Sequence, residues 1–417
     1  MSTLKVCGGN PLRGEIAVYG AKNAVLPILA ASIMTTEEVV LKGCPMLSDV
    51  RHMVAILQSL GARVKVEGDV ITIDPRHADS HEMPETLCKQ MRSSIFLLGA
   101  LISRFQKAWV TQPGGCEIGL RPIDLHLKGL RALNVQINEE FGEILCVGND
   151  TRGAEITLDY PSVGATENIM MAAVMASGET VLRNAAREPE VADLAAFINA
   201  MGGKVRGAGT DCIVIEGVRE LHGVTYTIMP DRIVAGTYMA AAAITRGDVR
   251  IQHIVPSHLS AMAAKLMEAG CRIDFDGDSV RVRAPRALRE MQQIETLPYP
   301  GFPTDLQAQI MAVACLCKGT SVITENVFEN RFKHATELSR MGARITIRDR
   351  VAVVCGVEQL QGAHVGAKDL RGGAALVIAG LAAYGTTLVD GDTYINRGYQ
   401  DLAGELNTLG AQIQKVD

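Results

Sequence analysis

Leu60-Gly61-Ala62-Arg63-Val64 decides how this chain folds, because the phrase comes back five times. It returns as Leu133-Asn134-Val135-Gln136-Ile137, Met201-Gly202-Gly203-Lys204-Val205 and Ala269-Gly270-Cys271-Arg272-Ile273. The last copies are Met341-Gly342-Ala343-Arg344-Ile345 and Leu409-Gly410-Ala411-Gln412-Ile413. Their second residues stand at 61, 134, 202, 270, 342 and 410, so the spacing is 73, 68, 68, 72 and 68 residues. A near-constant period of this length implies six copies of one supersecondary unit. The glycine of the phrase reads as the stop of an amphipathic helix, such as His258–Met267. Two short strands follow it, as in Arg344-Ile345-Thr346-Ile347-Arg348 and Val351-Ala352-Val353-Val354.

Working outward, each copy also carries an apolar helix-like run before the amphipathic one. These runs are Val25–Met34, Ser94–Ile102, Asn168–Met175, Ala235–Ile244, Gln307–Cys317 and Ala374–Ala383. They are apolar nearly all round, which predicts burial on every side. The strands alternate instead, with Arg344, Thr346 and Arg348 set against Ile345 and Ile347, which predicts one buried and one wet face. Helices inside and sheets outside is the arrangement that satisfies both. Six units then make two pseudo-symmetric α/β domains of three units each.

Length and composition agree. A chain of 417 residues is too long for one ordinary core. Lys+Arg 41 against Asp+Glu 46 gives −5, no basic footprint for nucleic acid, and 4% aromatics argue against base-stacking platforms. The ten cysteines form no Cys-x-x-Cys pair, which makes a zinc site improbable. Their scatter, without a signal peptide, reads as reduced thiols in a cytoplasm. The longest apolar runs fall short of the roughly 20 residues that a membrane span needs. Nucleoside-triphosphate loops, dinucleotide fingerprints, zincin helices and nucleophile elbows are absent.

Residues that the repeat does not need are the candidates for function. Gln112-Pro113-Gly114-Gly115-Cys116 puts a thiol in a Gly-rich loop, five residues before Arg121. A thiolate is the reactive form of cysteine, and a neighbouring cation favours it. The starts of the apolar helices carry Lys22 and Asn23, Arg92, Ser162-Val163-Gly164, Arg232, Asp305 and Arg371. Arg121, Arg331 and Arg397 add cations from loops. Taken singly, a lysine at a helix start reads equally well as a solvated charge, an arginine as a surface ion pair, and Asp305 as a cap. Converging, they describe a cleft for a polyanionic substrate pair, since guanidinium forks suit phosphate and carboxylate. His126 and His334 read as structural or hydrogen-bonding residues.

The motifs resemble, in order along the whole chain, those of the bacterial UDP-N-acetylglucosamine 1-carboxyvinyltransferase family of enolpyruvyl transferases. The matching stretches are Lys22-Asn23, Arg92, Pro113-Gly114-Gly115-Cys116, Arg121-Pro122-Ile123-Asp124, Ser162-Val163-Gly164, Pro303-Thr304-Asp305, Asn330-Arg331-Phe332, Asp369-Leu370-Arg371 and Arg397-Gly398-Tyr399. One departure is Tyr160, which stands where some members carry lysine. The resemblance implies two inside-out α/β barrel domains: residues 1–21 with 230–417, and 22–229, the latter carrying a mobile loop 112–121. The cleft that such a pair of domains encloses is the expected ligand site. It further implies transfer of enolpyruvyl from phosphoenolpyruvate to the 3-hydroxyl of UDP-N-acetylglucosamine with release of phosphate, an early step of peptidoglycan precursor and cell-wall synthesis.

Residue roles follow from the same resemblance. Cys116 acts as general acid and is the thiol that an epoxide such as fosfomycin alkylates; Asp305 acts as general base. Lys22, Arg121 and Arg397 hold phosphate and carboxylate. Asn23, Arg92, Pro122, Ile123, Asp124, Leu125, Ser162, Val163, Gly164, Val327, Arg331 and Arg371 line the substrates. The chemistry needs neither metal nor organic cofactor, and the expected partners are the two small substrates, with no nucleic acid and no membrane. Two alternatives stay open at this stage: the shikimate-directed enolpyruvyl transferase, and a catalytically silent paralogue that senses the sugar nucleotide.

Overall fold

The structure is a computed structural model that describes residues 2–111, 114 and 122–416. The described residues divide into two compact units. One takes in residues through Tyr19 and from Pro230 onward; the other runs from Gly20 to Met229. Each is built on three helices that hide almost every side chain. In the unit from Gly20 to Met229 they are Lys22–Ala31, Leu97–Phe105 and Val163–Ala173. In the other they are Arg232–Ile244, Gln307–Ala314 and Leu370–Ala382. All thirteen residues of Arg232–Ile244 are buried. Close approach requires small residues: a Cβ at Gly99 would lie 2.2 Å from the carbonyl oxygen of Asn168 on the facing helix.

Sheets cover these helices, three to a unit. Five of the six share one grammar: a strand laid parallel to the strand that follows the central helix, which in turn pairs antiparallel with a hairpin. In one sheet, Arg13–Ala17 runs parallel to Asp248–Gln252, and Ser279–Arg283 and Arg272–Asp276 complete it. The strand order is the same around Val39–Lys42, Glu179–Arg183 and Thr320–Glu325. In the sheet around Thr386–Asp390 the inner hairpin position is filled by Thr3–Cys7, with Thr3 opposite both Asp390 and Val416. The sixth sheet, Lys107–Thr111 with Glu143–Val147 and Gln136–Glu140, has three strands, and a single bridge from Glu82 to Trp109 stands in for the fourth. No described helix is long and apolar enough to cross a membrane.

The architecture is the two-domain α/β fold expected, helices inside and sheets outside in each unit, with two local differences. Four of the six central helices, those from Lys22, Val163, Arg232 and Leu370, begin earlier than their apolar runs. Lys22, Arg232 and Arg371 are each helical and buried, with Asp49, the ring of Tyr299 and Asp305 respectively set against their charged groups. The alternation of Arg344–Arg348 also fails to bury both isoleucines: Ile345 is half-buried and Ile347 is exposed. This strand is the outer edge of its sheet, so the burial falls to Ala352 and Val354 on the inner hairpin strand.

The repeated glycine behaves as its position demands. Residues 61, 202, 270, 342 and 410 have φ between 92° and 99°, the left-handed conformation that ends a helix. The second copy holds Asn134 there at φ 67°, its side chain donating to the carbonyl of Asp150 at 2.9 Å. Nothing lies within 4 Å of a Cβ at 342, so Gly342→Ala isolates the backbone cost. That variant is expected to lose ~1 kcal/mol and Gly342→Asn less, read as midpoint shifts at unchanged slope in urea. Equal losses for both would mean that side-chain contacts, not backbone conformation, govern the position.

Candidate active site

In the unit from Pro230 onward, three of the singled-out residues form one hydrogen-bonded group. Asp305 lies in the short turn Thr304–Leu306 that starts a central helix. Arg331 Nη2 donates to its Oδ1 at 2.7 Å. Arg371 donates to its Oδ2 from Nη2 at 3.1 Å and Nε at 3.3 Å. The two guanidiniums are 4% and 1% exposed, whereas the carboxylate keeps 25%. Asp305 is thus oriented by groups that cannot move far, and it remains open to a ligand.

Arg371 owes its place to the cap beneath it. Asp369 accepts from the backbone N–H groups of Arg371 and Gly372, each at 3.0 Å, which fixes the helix start. Burial is the largest single influence and would push the guanidinium down; the charges of Asp305, Tyr399 and Asp231, with a hydrogen bond to Tyr399, together outweigh it and hold Arg371 well above its ordinary value. Its guanidinium also lies 5.4 Å over the ring of Tyr399. Tyr399 accepts from Gln309 at 3.2 Å and pairs with Thr237 at 2.8 Å, both on central helices. Half-buried Arg397 sits two residues before it, and a Cβ at Gly398 would come within 3.3 Å of Arg371 Nη1. Arg232, at a central helix start, lies 5.6 Å over the ring of Tyr299. Burial keeps His334 neutral, well below the usual histidine range, with Asp369 opposing and Arg331 reinforcing that push.

The unit from Gly20 to Met229 gathers its candidates around two polar contacts. Lys22 Nζ meets Asp49 Oδ2 at 2.9 Å, with side chains 9% and 3% exposed. Asn23 beside it is exposed. The second contact is Asn168, which accepts from Gly99 N at 2.7 Å and donates to Ile95 O and to His126 Nδ1, both at 2.8 Å. His126 reaches it from the helix Asp124–Ala132, and a Cβ at Gly164 would come within 3.1 Å of its Cε1. Asn168 thereby ties together three helix starts: the turn of Arg92, the turn of Pro122, Ile123, Asp124 and Leu125, and Ser162-Val163-Gly164. Ser162 caps its helix through Ala165 N at 3.4 Å. Arg92, Ile123, Leu125, Ser162, Val163 and Gly164 are half-buried, while Pro122 and Asp124 are exposed.

Cys116 and Arg121 lie outside the described residues. Of the other cysteines, Cys44, Cys146, Cys271, Cys315 and Cys317 are pushed up to about 12 by burial, so they stay as inert thiols. Sequence reading missed Asp49, Asn168, Glu167 and Glu325. A signal existed for two of them: Glu167 and Asn168 are polar residues directly at the start of the apolar run, on a helix buried from Ala165 to Ala173.

Comparison with known proteins places this geometry. The family model of EPSP synthase (3-phosphoshikimate 1-carboxyvinyltransferase) matches residues 6–406. A UDP-N-acetylglucosamine 1-carboxyvinyltransferase 2 of Caldanaerobacter subterraneus subsp. tengcongensis is 53% identical over 416 residues, covering 100% of both chains. A UDP-N-acetylglucosamine 1-carboxyvinyltransferase 1 of Carboxydothermus hydrogenoformans is 51% identical, covering 100% of this chain and 99% of its own. Among solved structures, the enolpyruvyl transferase NikO from Streptomyces tendae matches with TM-score 0.89 at 26% identity, covering 100% and 99% of the two chains. EPSP synthase from Acinetobacter baumannii shares the fold, with TM-score 0.75 at 20% identity over the whole of both chains. The chain therefore belongs to the EPSP synthase family and, within it, to the UDP-N-acetylglucosamine 1-carboxyvinyltransferases.

Proposed function

We propose that this enzyme transfers enolpyruvyl from phosphoenolpyruvate to the 3-hydroxyl of UDP-N-acetylglucosamine and releases phosphate, in the cytoplasm, as a step of peptidoglycan precursor synthesis. The observation that carries the reading is the Asp305–Arg331–Arg371 group: the carboxylate expected to act as base is pre-oriented by two buried guanidiniums. Its occurrence in a chain 53% identical to a transferase named for this sugar nucleotide adds to that support.

The chemistry is addition followed by elimination. Asp305 takes the proton of the sugar 3-hydroxyl as its oxygen bonds to C2 of phosphoenolpyruvate. Cys116 supplies a proton to the methylene carbon, which becomes a methyl group. The tetrahedral adduct then gives a methyl proton back to the Cys116 thiolate and expels phosphate, which leaves with the proton taken up by Asp305, and the carbon–carbon double bond returns. Lys22, Arg121 and Arg397 hold the phosphate and carboxylate and offset the charge that develops on them. Arg92, Asn23, Pro122, Ile123, Asp124, Leu125, Ser162, Val163, Gly164 and Val327 position the sugar nucleotide. Arg331 and Arg371 act on Asp305 and, from the same place, on the bound anions.

Phosphate release from phosphoenolpyruvate tests the reading, run in parallel with UDP-N-acetylglucosamine and with shikimate 3-phosphate. Release with the sugar nucleotide alone is the expected result. Release with shikimate 3-phosphate alone overturns the acceptor assignment and leaves the fold intact. Binding of the sugar nucleotide without release from either acceptor makes the chain a sensor.

A further inference from the structure

Glu325 ends the strand Thr320–Glu325 and is 1% exposed. Neither loop chemistry nor the ion pairs above involve it. Its Oε2 accepts from Thr304 Oγ1 at 2.9 Å. Its Oε1 accepts from Thr296 Oγ1 at 2.8 Å, Val327 N at 2.9 Å and Phe328 N at 3.1 Å. Thr296 in turn accepts from Asn326 N at 2.9 Å. These four partners are uncharged, so the carboxylate is held by oriented dipoles rather than by a counter-ion. A buried carboxylate is costly unless its lone pairs are satisfied. Here the satisfying donors come from the end of the strand Gln293–Thr296, from the turn that begins at Thr304 and from the turn that directly follows Glu325.

Those two turns carry the chemistry of this unit. Thr304 is the neighbour of Asp305, and Arg331 reaches its carbonyl at 3.4 Å as well as the Asp305 carboxylate. Val327 and Phe328 open the turn that leads to Arg331, whose guanidinium packs 5.6 Å over the Phe328 ring. One oxygen of Glu325 therefore fixes the turn bearing Asp305, and the other fixes the turn bearing Val327 and leading to Arg331. A plain turn cap needs only the contacts to Val327 N and Phe328 N. The bond to Thr304 is the additional one, and it joins the two halves of the site.

We propose that Glu325 is a positioning residue that sets Asp305 and the Val327–Arg331 turn in register for the transfer, acting through Thr304 on one oxygen and through the Val327 turn on the other. This rests on the functional reading given above. Misplacing a base by a fraction of an ångström costs rate before it costs binding. Glu325→Gln puts an N–H where either Thr304 or the backbone donors need an acceptor, so one of the two turns loses its anchor. Thr304→Val removes the joining bond alone and keeps the shape of the side chain. Thr296→Val loosens the Val327 side and leaves the Thr304 bond.

Steady-state phosphate release for the wild type and the three variants provides the test. Glu325→Gln and Thr304→Val are expected to lower kcat by ~10-fold or more with KM for phosphoenolpyruvate little changed. Thr296→Val is expected to raise KM for UDP-N-acetylglucosamine and to spare kcat. Thermal melts that drop while kcat and KM stay at wild-type values would make Glu325 a structural cap and overturn the proposal. If Glu325→Gln does not fold, Thr304→Val decides alone, and a wild-type kcat for it overturns the proposal. A wild type that releases no phosphate fails the functional reading, and the positioning role falls with it; a wild type that turns over beside unchanged variants fails the positioning role only.

Discussion

Asp305→Asn is expected to lower turnover by ~10²–10⁴-fold, the range for losing a positioned general base. The amide keeps the size of the side chain but cannot take the proton of the sugar hydroxyl. Its oxygen can still accept from one guanidinium, while its NH2 group faces the other. Arg371 is 1% exposed, so a guanidinium that loses its anion there is not rescued by water. The variant is therefore also expected to lose ~3 kcal/mol of stability. Calorimetric titration with UDP-N-acetylglucosamine separates the two effects, because a folded variant retains most of its affinity while kcat collapses. Turnover at the wild-type rate would remove Asp305 from the chemistry and leave it as an ion-pair partner.

Glu167→Gln is expected to stabilise the protein, by an amount that grows with pH. Glu167 is fully buried on the central helix Val163–Ala173, and neither carboxylate oxygen has a hydrogen-bond partner among the described residues. Burial pushes its carboxyl well above the usual range, and the charges of Glu190 and Glu188 push further in the same direction. The folded chain therefore keeps a proton that the unfolded chain releases above about pH 4.3. Proton binding is then greater in the folded state, so stability falls as pH rises, by up to ~1.4 kcal/mol per unit, until the folded carboxyl itself ionises. Glutamine has no proton to lose. Urea midpoints of the two proteins should lie close together near pH 5 and diverge toward pH 8. A constant gap across that range would mean that Glu167 is ionised and paired in the native state.

Much of the fold was legible because one backbone requirement repeats. A helix that stops in the left-handed conformation selects glycine or asparagine, and the chain wrote that choice at 61, 134, 202, 270, 342 and 410. Burial of the helix starts was harder to read, since Lys22, Arg232 and Arg371 read equally well as solvated charges until their partners are known. Motif resemblance singled out Asp305, Arg331 and Arg371, which the structure joins in one hydrogen-bonded group. The supporting residues were not legible: Asp49 serves Lys22 from 27 positions away, and Glu325 serves Thr304 from 21. Such pairings leave no local pattern, because any donor at the right place in space would do. Glu167 is the exception, a carboxylate conspicuous within a run of buried neighbours.

The placement of Thr3–Cys7 has a consequence for the order in which the protein can form. This strand leaves the ribosome before every other described strand, yet both of its neighbours, Thr386–Asp390 and Gln412–Val416, follow all the others. The unit from Gly20 to Met229 has all its strands and helices once Met229 has emerged, so it can close while translation continues. The other unit must hold Thr3–Cys7 unpaired until Thr386–Asp390 has been made. Leu4 and Val6, buried in the finished sheet, spend that interval exposed. The nascent chain thus carries an open β-edge that only its own closing residues can cover, and protecting that edge is a task for chaperones or for rapid translation.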